Sequence, residues 1–336
     1  MTHHRQPESI VDFPLEKFAG IRRRGSASSA ILSWMRFRGS FLSGLRLSCW
    51  PLVLVFLLAL APRQICAQPP SLTVTPALVE AGSPELIRVD AADTAAVDGD
   101  WLGRKVDFFR GHGQLAWFAL AGVDVEAPAG PSQLKITVHL TDGSLRDLTR
   151  IVEIHPAHYR TGSLTVSPKF VEPDPEALKQ IASEIELKAK VYAASAPEPL
   201  WTASFRAPVA ARPTDSFGVR RMFNGKLASI HKGMDFRAAT GTPVHAANSG
   251  IVVLARPLYY EGNCVIIDHG LGLFTLSMHF SRIDVHEGQR VAIGDRLGLS
   301  GATGRVTGPH LHWAVRWQGA YLDPAKLLRL NLSVAR

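Results

Sequence analysis

The second half of the chain is made of short apolar runs that are each closed by Gly, Asn or Pro. Such runs occupy residues 250–254, 264–268, 273–278 and 310–317, and no apolar repeat of helical length interrupts them. Short β-branched runs bounded by turn residues are typical of β-strands. The sequence therefore predicts a mostly β domain over residues 201–336.

The segment before it alternates apolar and polar residues with a period of two, from Ser71 to about Ser167. One strand-like run places Leu134, Ile136 and Val138 on one face, and Asp142-Gly143 follows it. Asp-Gly between two such runs predicts a β-hairpin with a type I′ turn, and several short strands separated by turns favour a sandwich. We expect a β-sandwich-like domain over residues 68–170.

A helix and a linker are predicted between these domains, over residues 171–200. Asp174 is a good N-cap and Pro175 suits the first helical position. An apolar stripe at helical spacing, which we expect to be buried, consists of Leu178, Ile181, Ile185 and Ala189. The helix should end near Ser195, and the prolines in residues 196–200 predict a linker. We expect residues 201–336 to fold without the preceding segment.

The first 67 residues resemble an extension followed by a secretory signal peptide. Arginines 36, 38 and 46 precede an apolar run over 47–61, and Ile65-Cys66-Ala67 follows. This order predicts cleavage after Ala67, and translation is expected to start at Met35 instead of Met1 because residues 1–34 make an unusually long extension. A membrane anchor is the other interpretation, but the run is shorter than the roughly 20 residues that span a bilayer. The sequence predicts export without a stable membrane anchor after cleavage.

Charge and cysteine content narrow the class of protein. The 336-residue chain has a net charge of +8, but residues 1–67 hold nine Lys and Arg against three Asp and Glu, which leaves 28 against 26 elsewhere. Most of the net positive charge therefore lies in residues 1–67, and no nucleic-acid partner is expected. Cys264 is the one cysteine beyond residue 67, so no intramolecular disulfide can form there. The oligomeric state stays open.

Two motifs in the second domain could hold a metal. "HKGMD" contains His231 and Asp235, and "HLH" contains His310 and His312. Residues two apart in a strand share a face, and a spacing of four also brings side chains together. Two histidines and one carboxylate suit a catalytic zinc site with an open position for water. Either motif alone would also fit an ion pair or a buried structural histidine.

With these motifs, the chain resembles the lysostaphin and LytM-type zinc endopeptidases, which cut peptidoglycan. The resemblance extends through "SFGVRR", "GTPVHAANSGIVV", "VIIDHG", "MHFSRI" and "DPAKLL", over about residues 201–328. It implies an antiparallel β catalytic domain and Zn²⁺ held by His231, Asp235 and His312. It also implies that His279 and His310 are catalytic without binding the metal. The expected protein is mainly β, an exported endopeptidase of the periplasm or cell envelope that hydrolyses peptidoglycan cross-links or stem peptides.

Two other functions are compatible with parts of this pattern. A non-catalytic LytM-like module would bind the cell wall or regulate an enzyme, and we would expect it to lack at least one of the five residues. A non-haem iron oxygenase also uses two histidines and a carboxylate, but its usual His-x-Asp spacing is absent here. Which of His279 and His310 transfers protons, and which stabilises an oxyanion, stays open.

Overall fold

The computed structural model describes residues 69–111, 116–163, 173–223 and 226–335. The predicted extension, signal peptide, cleavage point and alternative start lie outside the described residues, as does the predicted boundary at residue 170. Within the described part of the chain, no helix is both long and apolar enough to span a membrane.

The first part of the described chain consists of strands in two antiparallel-dominated sheets. The strands are β1 (Ser71–Thr75), β2 (Val79–Glu80), β3 (Pro84–Asp90), β4 (Thr94–Trp101), β5 (Arg104–Asp107), β6 (Phe109–Arg110), β7 (Ala116–Gly122), β8 (Gly130–Leu140) and β9 (Leu145–His155). One sheet has the order β1-β3-β7-β6 and the other the order β2-β9-β8-β4-β5. Only β2 and β9 pair in parallel here.

The two sheets share an apolar core, as the period-two pattern predicts. Val74, Ile87 and Val89 are buried from the first sheet, and Leu134 and Ile136 from the second, all within one hydrophobic cluster. Alternate residues of a strand face opposite sides, so each sheet buries one face. The β-sandwich prediction is confirmed.

The predicted hairpin forms between β8 and β9, but its turn is not type I′. A type I′ turn needs positive φ at both central residues, and of Asp142 and Gly143 only the glycine has it, at 83°. The N–H of Gly143 donates to the carbonyl of Leu140, and the Asp142 carboxylate accepts from the Ser144 N–H at 2.8 Å. The loop is one residue longer than expected because Asp142 caps it locally instead of taking a left-handed conformation.

Helix α1 spans Pro175–Ala193, and the Asp174 side chain accepts the N–H of Ala177, as an N-cap does. The predicted buried stripe is wrong: Leu178 and Ile185 are 43% and 51% exposed, whereas Glu184 is buried. The helix packs against a backbone turn, so polar side chains face inward. The Glu184 carboxylate accepts the N–H of Tyr259 at 3.0 Å from both oxygens, next to an ion pair between Lys188 and Glu261.

The second part of the chain is built on one large antiparallel sheet. Its strands are β11 (Pro213–Asp215), β14 (Met234–Phe236), β15 (Pro243–His245), β16 (Gly250–Leu258), β17 (Gly262–Asp268), β18 (Leu273–Ile283), β19 (Arg290–Val291), β20 (Arg296–Ser300), β21 (Leu311–Trp317) and β22 (Ala320–Leu322). The main order is β11-β14-β21-β18-β17-β16-β19, with β20 joined to β15 and β18, and β22 joined to β21. The mainly β fold class is confirmed.

A small separate sheet links the two parts of the chain. Strand β10 (Thr161–Ser163) pairs in parallel with β12 (Arg220–Phe223), which pairs antiparallel with β13 (Lys226–Ile230). A short helix α2 (Pro324–Leu327) and a 3-10 turn (Ser333–Ala335) end the described chain.

The sandwich and the large sheet share a hydrophobic core. Trp201 packs edge-on against Phe109 with ring centroids 5.6 Å apart. A Cβ atom at Gly122 would come within 2.5 Å of the Leu322 side chain, so the two sheets meet closely there. Residues 65–336 accordingly form one compact unit. The predicted domain boundary near residue 200 stays a prediction about folding units.

Candidate active site

His231, Asp235 and His312 converge from three different elements of the fold. His231 follows β13, Asp235 lies in β14 and His312 lies in β21, where it is the cross-strand partner of Asp235. One potential ligand atom from each of the three lies within 4.8 Å of the others. The sheet register therefore brings together the two motifs that are far apart in sequence.

The three candidate ligand atoms lie at distances that suit a metal site. His231 Nε2 is 3.1 Å from Asp235 Oδ1 and 3.0 Å from His312 Nδ1, and His312 Nδ1 is 2.8 Å from the same oxygen. His231 Nδ1 lies 2.9 Å from the Ser216 carbonyl, which can only accept, so Nδ1 carries the proton and Nε2 presents a lone pair. Donors around a tetrahedral zinc ion lie roughly 3.3 Å apart. The residues present thus fit a divalent zinc-like cation.

The charge state of these groups also suits a metal. Burial alone would raise the pKa of Asp235, but the imidazoles of His231 and His312 hold it well below its usual range, so the group is a carboxylate at neutral pH. Burial lowers the pKa of His312, which keeps its imidazole neutral and able to act as a ligand.

A second layer of polar groups orients the Asp235 carboxylate. While Oδ1 faces the histidines, Oδ2 lies 3.3 Å from Nη2 of Arg221, and the same nitrogen lies 3.2 Å from Asp215. Asp215 is also 3.5 Å from His231 Nδ1. Partners of this kind fix the orientation of metal ligands and tune their basicity.

His310 lies on the same side of the sheet as His312, as predicted for His-x-His. It forms an isolated bridge with Gly301 just before β21 begins. Its Nδ1 is 2.8 Å from the Gly308 carbonyl, so Nδ1 carries the proton and Nε2 is left as an acceptor. That Nε2 lies 3.8 Å from Asp235 Oδ1, close to the three ligand atoms without joining them.

His279 reaches the site through an irregularity in β18. The pairing of β17 with β18 shifts register between Asn263 and Val265, and His279 has a φ of 66°. β-Bulges commonly re-aim side chains beside active sites. The His279 N–H donates to the Glu261 carbonyl at 3.0 Å, and its Nδ1 lies 2.8 Å from the Thr303 carbonyl. Burial lowers the pKa of His279 to about 3, so the ring is neutral with Nε2 as acceptor.

The five predicted residues lie close together, and the His231 ring centroid is 4.9 Å from that of His312. The His279 ring centroid is 4.9 Å from that of His310 and 6.1 Å from that of His312. Asp235, His279, His310 and His312 all border a cavity of about 440 Å³, within the range of roughly 300–1,000 Å³ common for ligand pockets. By contrast, His269 is buried away from this cavity, where its two ring nitrogens contact the Ser249 carbonyl and the Thr275 hydroxyl.

Sequence reasoning did not single out several residues that complete the site. Arg221 and Asp215 contact the ligand residues, and the carbonyls of Thr303 and Glu261 orient His279. Arg221 stands within "SFGVRR", so the motif gave a signal for it. A backbone carbonyl gives no signal, because every residue has one.

Residues 229–324 match the family model described as Peptidase family M23. This segment is a peptidase M23 domain. It contains His231, Asp235, His279, His310 and His312, and the resemblance found in the sequence is confirmed.

Relatives of this M23 domain include named cell-wall enzymes. The peptidoglycan DD-endopeptidase ShyA of Vibrio cholerae serotype O1 is 42% identical over 125 residues, which cover 37% of this chain and 28% of ShyA. The DD-carboxypeptidase/endopeptidase Mpg of Neisseria meningitidis serogroup B is 39% identical over 98 residues, covering 29% of this chain and 23% of Mpg. The chain thus matches about a quarter of the length of these curated relatives.

One solved structure matches beyond the M23 domain. A crystal structure of a candidate peptidase M23 from Pseudomonas aeruginosa is 27% identical, with a TM-score of 0.57, and the match covers 74% of this chain and 94% of that one. Coverage of that extent reaches past residues 229–324 into the rest of the described chain. The arrangement of strands around the M23 domain therefore recurs in another protein.

Proposed function

We propose that the chain is an exported, zinc-dependent endopeptidase that hydrolyses peptide bonds in peptidoglycan cross-links or stem peptides. The observation that carries this proposal is the convergence of two kinds of group on one cavity. Asp235 and His312 line this cavity with the imidazoles of His279 and His310, and a candidate ligand atom of the buried His231 lies within 4.8 Å of those of Asp235 and His312.

His231, Asp235 and His312 would hold the zinc ion through Nε2, Oδ1 and Nδ1. Zinc with three protein ligands supplies Lewis-acid chemistry, lowering the pKa of water to about 7 and polarising a carbonyl. The carbonyl of Ser216 fixes the ring of His231, and Arg221 fixes the Asp235 carboxylate. Both contacts keep the ligands in place before the metal binds.

His279 and His310 would carry the proton transfer and the stabilisation of the oxyanion. Each has Nδ1 bonded to a backbone carbonyl, Thr303 for His279 and Gly308 for His310, so each turns Nε2 toward the cavity. An imidazole held in this way can accept a proton from water and return it to the leaving amine. In its protonated form it can donate to a developing negative charge.

The choice of peptidoglycan rests on the relatives of the M23 domain. ShyA is named for peptidoglycan DD-endopeptidase activity and Mpg for DD-carboxypeptidase and endopeptidase activity. A peptidoglycan substrate places the protein in the periplasm or cell envelope, in keeping with the predicted signal peptide. A non-catalytic module has no need for two imidazoles beside the ligand set, so the complete group of five favours catalysis.

Digestion of purified peptidoglycan tests the proposal. Zinc-loaded protein should release fragments whose masses correspond to cleaved peptides, with intact glycan strands, whereas protein treated with a chelator should release none. His310→Ala serves as the matched control, because it removes one imidazole and leaves the three ligands. Zinc-loaded protein that binds peptidoglycan without cutting it would instead support the non-catalytic module.

A further inference from the structure

The cavity beside the metal ligands has an excess of positive charge. Arg160, Arg221 and Arg305 line it, against the carboxylates of Asp215 and Asp235. A bound divalent cation would add to this excess. A ligand that carries a negative charge is therefore favoured there over a neutral one.

Two of the three arginines are already committed to carboxylates. Arg221 Nη2 lies 3.2 Å from Asp215 and 3.3 Å from Asp235. Arg160 is the residue immediately before β10. Its Nη2 lies 3.6 Å from Oδ1 of Asp215, and 72% of the Arg160 side chain is exposed. Both carboxylates of the cavity wall are thus paired.

Arg305 differs from the other two arginines. None of the ion pairs formed by the described residues includes it, although its side chain is half-buried. Burial lowers the pKa of Arg305, although the Glu261 carboxylate, which is paired with Lys188, acts in the opposite direction. Arginine stays protonated even so, and the cavity therefore holds a cation whose hydrogen-bonding capacity the described residues do not use.

The position of Arg305 is fixed by the turn between β16 and β17. Its guanidinium carbon lies 4.4 Å from the centroid of the Tyr260 ring, and the backbone N–H of Arg305 donates to the Tyr260 carbonyl at 2.9 Å. The preceding Gly304 has a φ of 76°, and a Cβ there would come within 2.3 Å of the backbone nitrogen of Gly262. Because this backbone is tightly packed, the guanidinium is held in place before a ligand arrives, which reduces the entropy lost on binding.

We propose that Arg305 binds a carboxylate of the substrate and so selects acidic peptides. A planar guanidinium can hold a carboxylate through paired hydrogen bonds, which gives both affinity and orientation. The inference rests on the proposed function and names a substrate class for it. The preferred substrates are stem peptides in which the diamino acid has a free carboxylate. Stem peptides in which this carboxylate is replaced by a carboxamide are disfavoured. Arg305 is a binding residue in this proposal, and His279 and His310 remain the groups that act on the scissile bond.

The test compares two cross-linked stem peptides that differ only in this carboxylate or carboxamide. Wild-type full chain, Arg305→Gln and Arg305→Lys are each loaded with zinc, and both cleavage and equilibrium binding of fluorescent peptides are measured. Arg290→Gln, which removes the same charge from an exposed residue of β19, is the matched control. Zinc content is measured in every variant, so that loss of the metal is seen separately.

Wild-type protein should prefer the carboxylate peptide by tenfold or more in kcat/KM. Arg305→Gln should lose that preference, mainly through KM, and treat the carboxamide peptide as the wild type does, while Arg305→Lys keeps part of it. Equal use of both peptides by the wild type, or an equal loss on both in Arg305→Gln, would overturn the role of Arg305. Binding that depends on Arg305 without any cleavage would refute the proposed endopeptidase and leave the carboxylate site standing. Absence of both binding and cleavage would overturn both.

Discussion

Gly233 lies so close to His312 that a Cβ atom added to the glycine would come within 2.4 Å of the imidazole Nε2. Gly233 stands between the two candidate ligand residues of the "HKGMD" motif and leaves the space that the His312 ring fills. We expect Gly233→Ala to displace His312 and to reduce zinc binding by at least tenfold, as measured by competition with a chromophoric chelator. Gly308→Ala is the matched control, because a Cβ there has no atom within 4 Å. Full zinc affinity in Gly233→Ala would show that the ring can move without cost.

The division between ligands and catalytic histidines can be tested by metal content. His231→Ala removes one of three donors, so it should abolish stoichiometric zinc. His279→Ala and His310→Ala should keep zinc and lose activity by roughly 10²- to 10⁴-fold, the range for acid–base catalysis. Metal analysis and kinetics on the same preparations check both. A folded but metal-free His279→Ala or His310→Ala protein would mean that the ligand set is different.

Helix α1 should influence activity although it lies outside the cavity. Glu184 accepts the Tyr259 N–H, and the same turn bonds His279 through the Glu261 carbonyl and Arg305 through the Tyr260 carbonyl. Glu184→Ala removes the carboxylate that accepts this N–H, and the loss of such a hydrogen bond costs about 1–3 kcal/mol. We expect a lower Tm and a lower kcat with zinc retained.

Glu186→Ala is the matched control for this change, because Glu186 lies on the exposed side of the same helix. It should alter neither Tm nor kcat. An unchanged kcat in Glu184→Ala would show that the turn keeps its position without the helix.

Glu85 should make the stability of the sandwich depend on pH. It is fully buried, one oxygen accepts from Ser83 at 2.6 Å, and the other has no hydrogen-bond partner among the described residues. Burial raises its pKa from 4.5 to about 8. Between pH 4.5 and about 8 the folded state therefore keeps a proton on Glu85 that the unfolded state has released. The contribution of Glu85 to the free energy of unfolding is complete below about pH 4.5 and falls by about 1.4 kcal/mol per pH unit as the pH rises to about 8.

Glu85→Gln removes this titration. The free energy of unfolding of the variant should therefore increase relative to that of the wild type as pH rises from 5 to 8. Denaturant unfolding at several pH values measures the difference in free energy between variant and wild type. The other titrating groups are the same in both proteins, so their contributions cancel in this difference. The exposed Glu153→Gln should show a constant difference. A constant difference for Glu85→Gln as well would mean that the carboxyl is ionised in the folded protein.

The shared core changes what we expect of a truncated chain. Residues 201–336 read as an independent domain in the sequence, but Trp201 is fully buried beside Phe109, and Leu322 packs against Gly122. Removing residues 1–200 exposes this apolar surface, at about 25 cal/mol per Å². We expect residues 201–336 made alone to have a lower Tm or to aggregate. A truncated chain with the Tm of the parent would support the predicted boundary.

Local sequence predicted most of the strands, the N-cap of α1 and the two candidate metal-binding motifs, whereas His279 was implied only by the family resemblance. The period-two pattern fixes which side of β8 is buried, and His-x-His places His310 and His312 on one surface, because side-chain direction in a strand alternates strictly. Both properties depend on neighbouring residues alone. They can therefore be read from the sequence.

Tertiary structure decided which groups meet. Met278, not His279, pairs with His312 in the register of β18 and β21, so regular alternation would turn His279 away from the ligands. The bulge and the positive φ of His279 bring its ring back. In the same way, Glu184 is buried and Ile185 exposed because α1 packs on a backbone turn that needs an acceptor. Such pairings depend on strand register and on backbone groups supplied by distant residues. Neither can be predicted from the local sequence pattern.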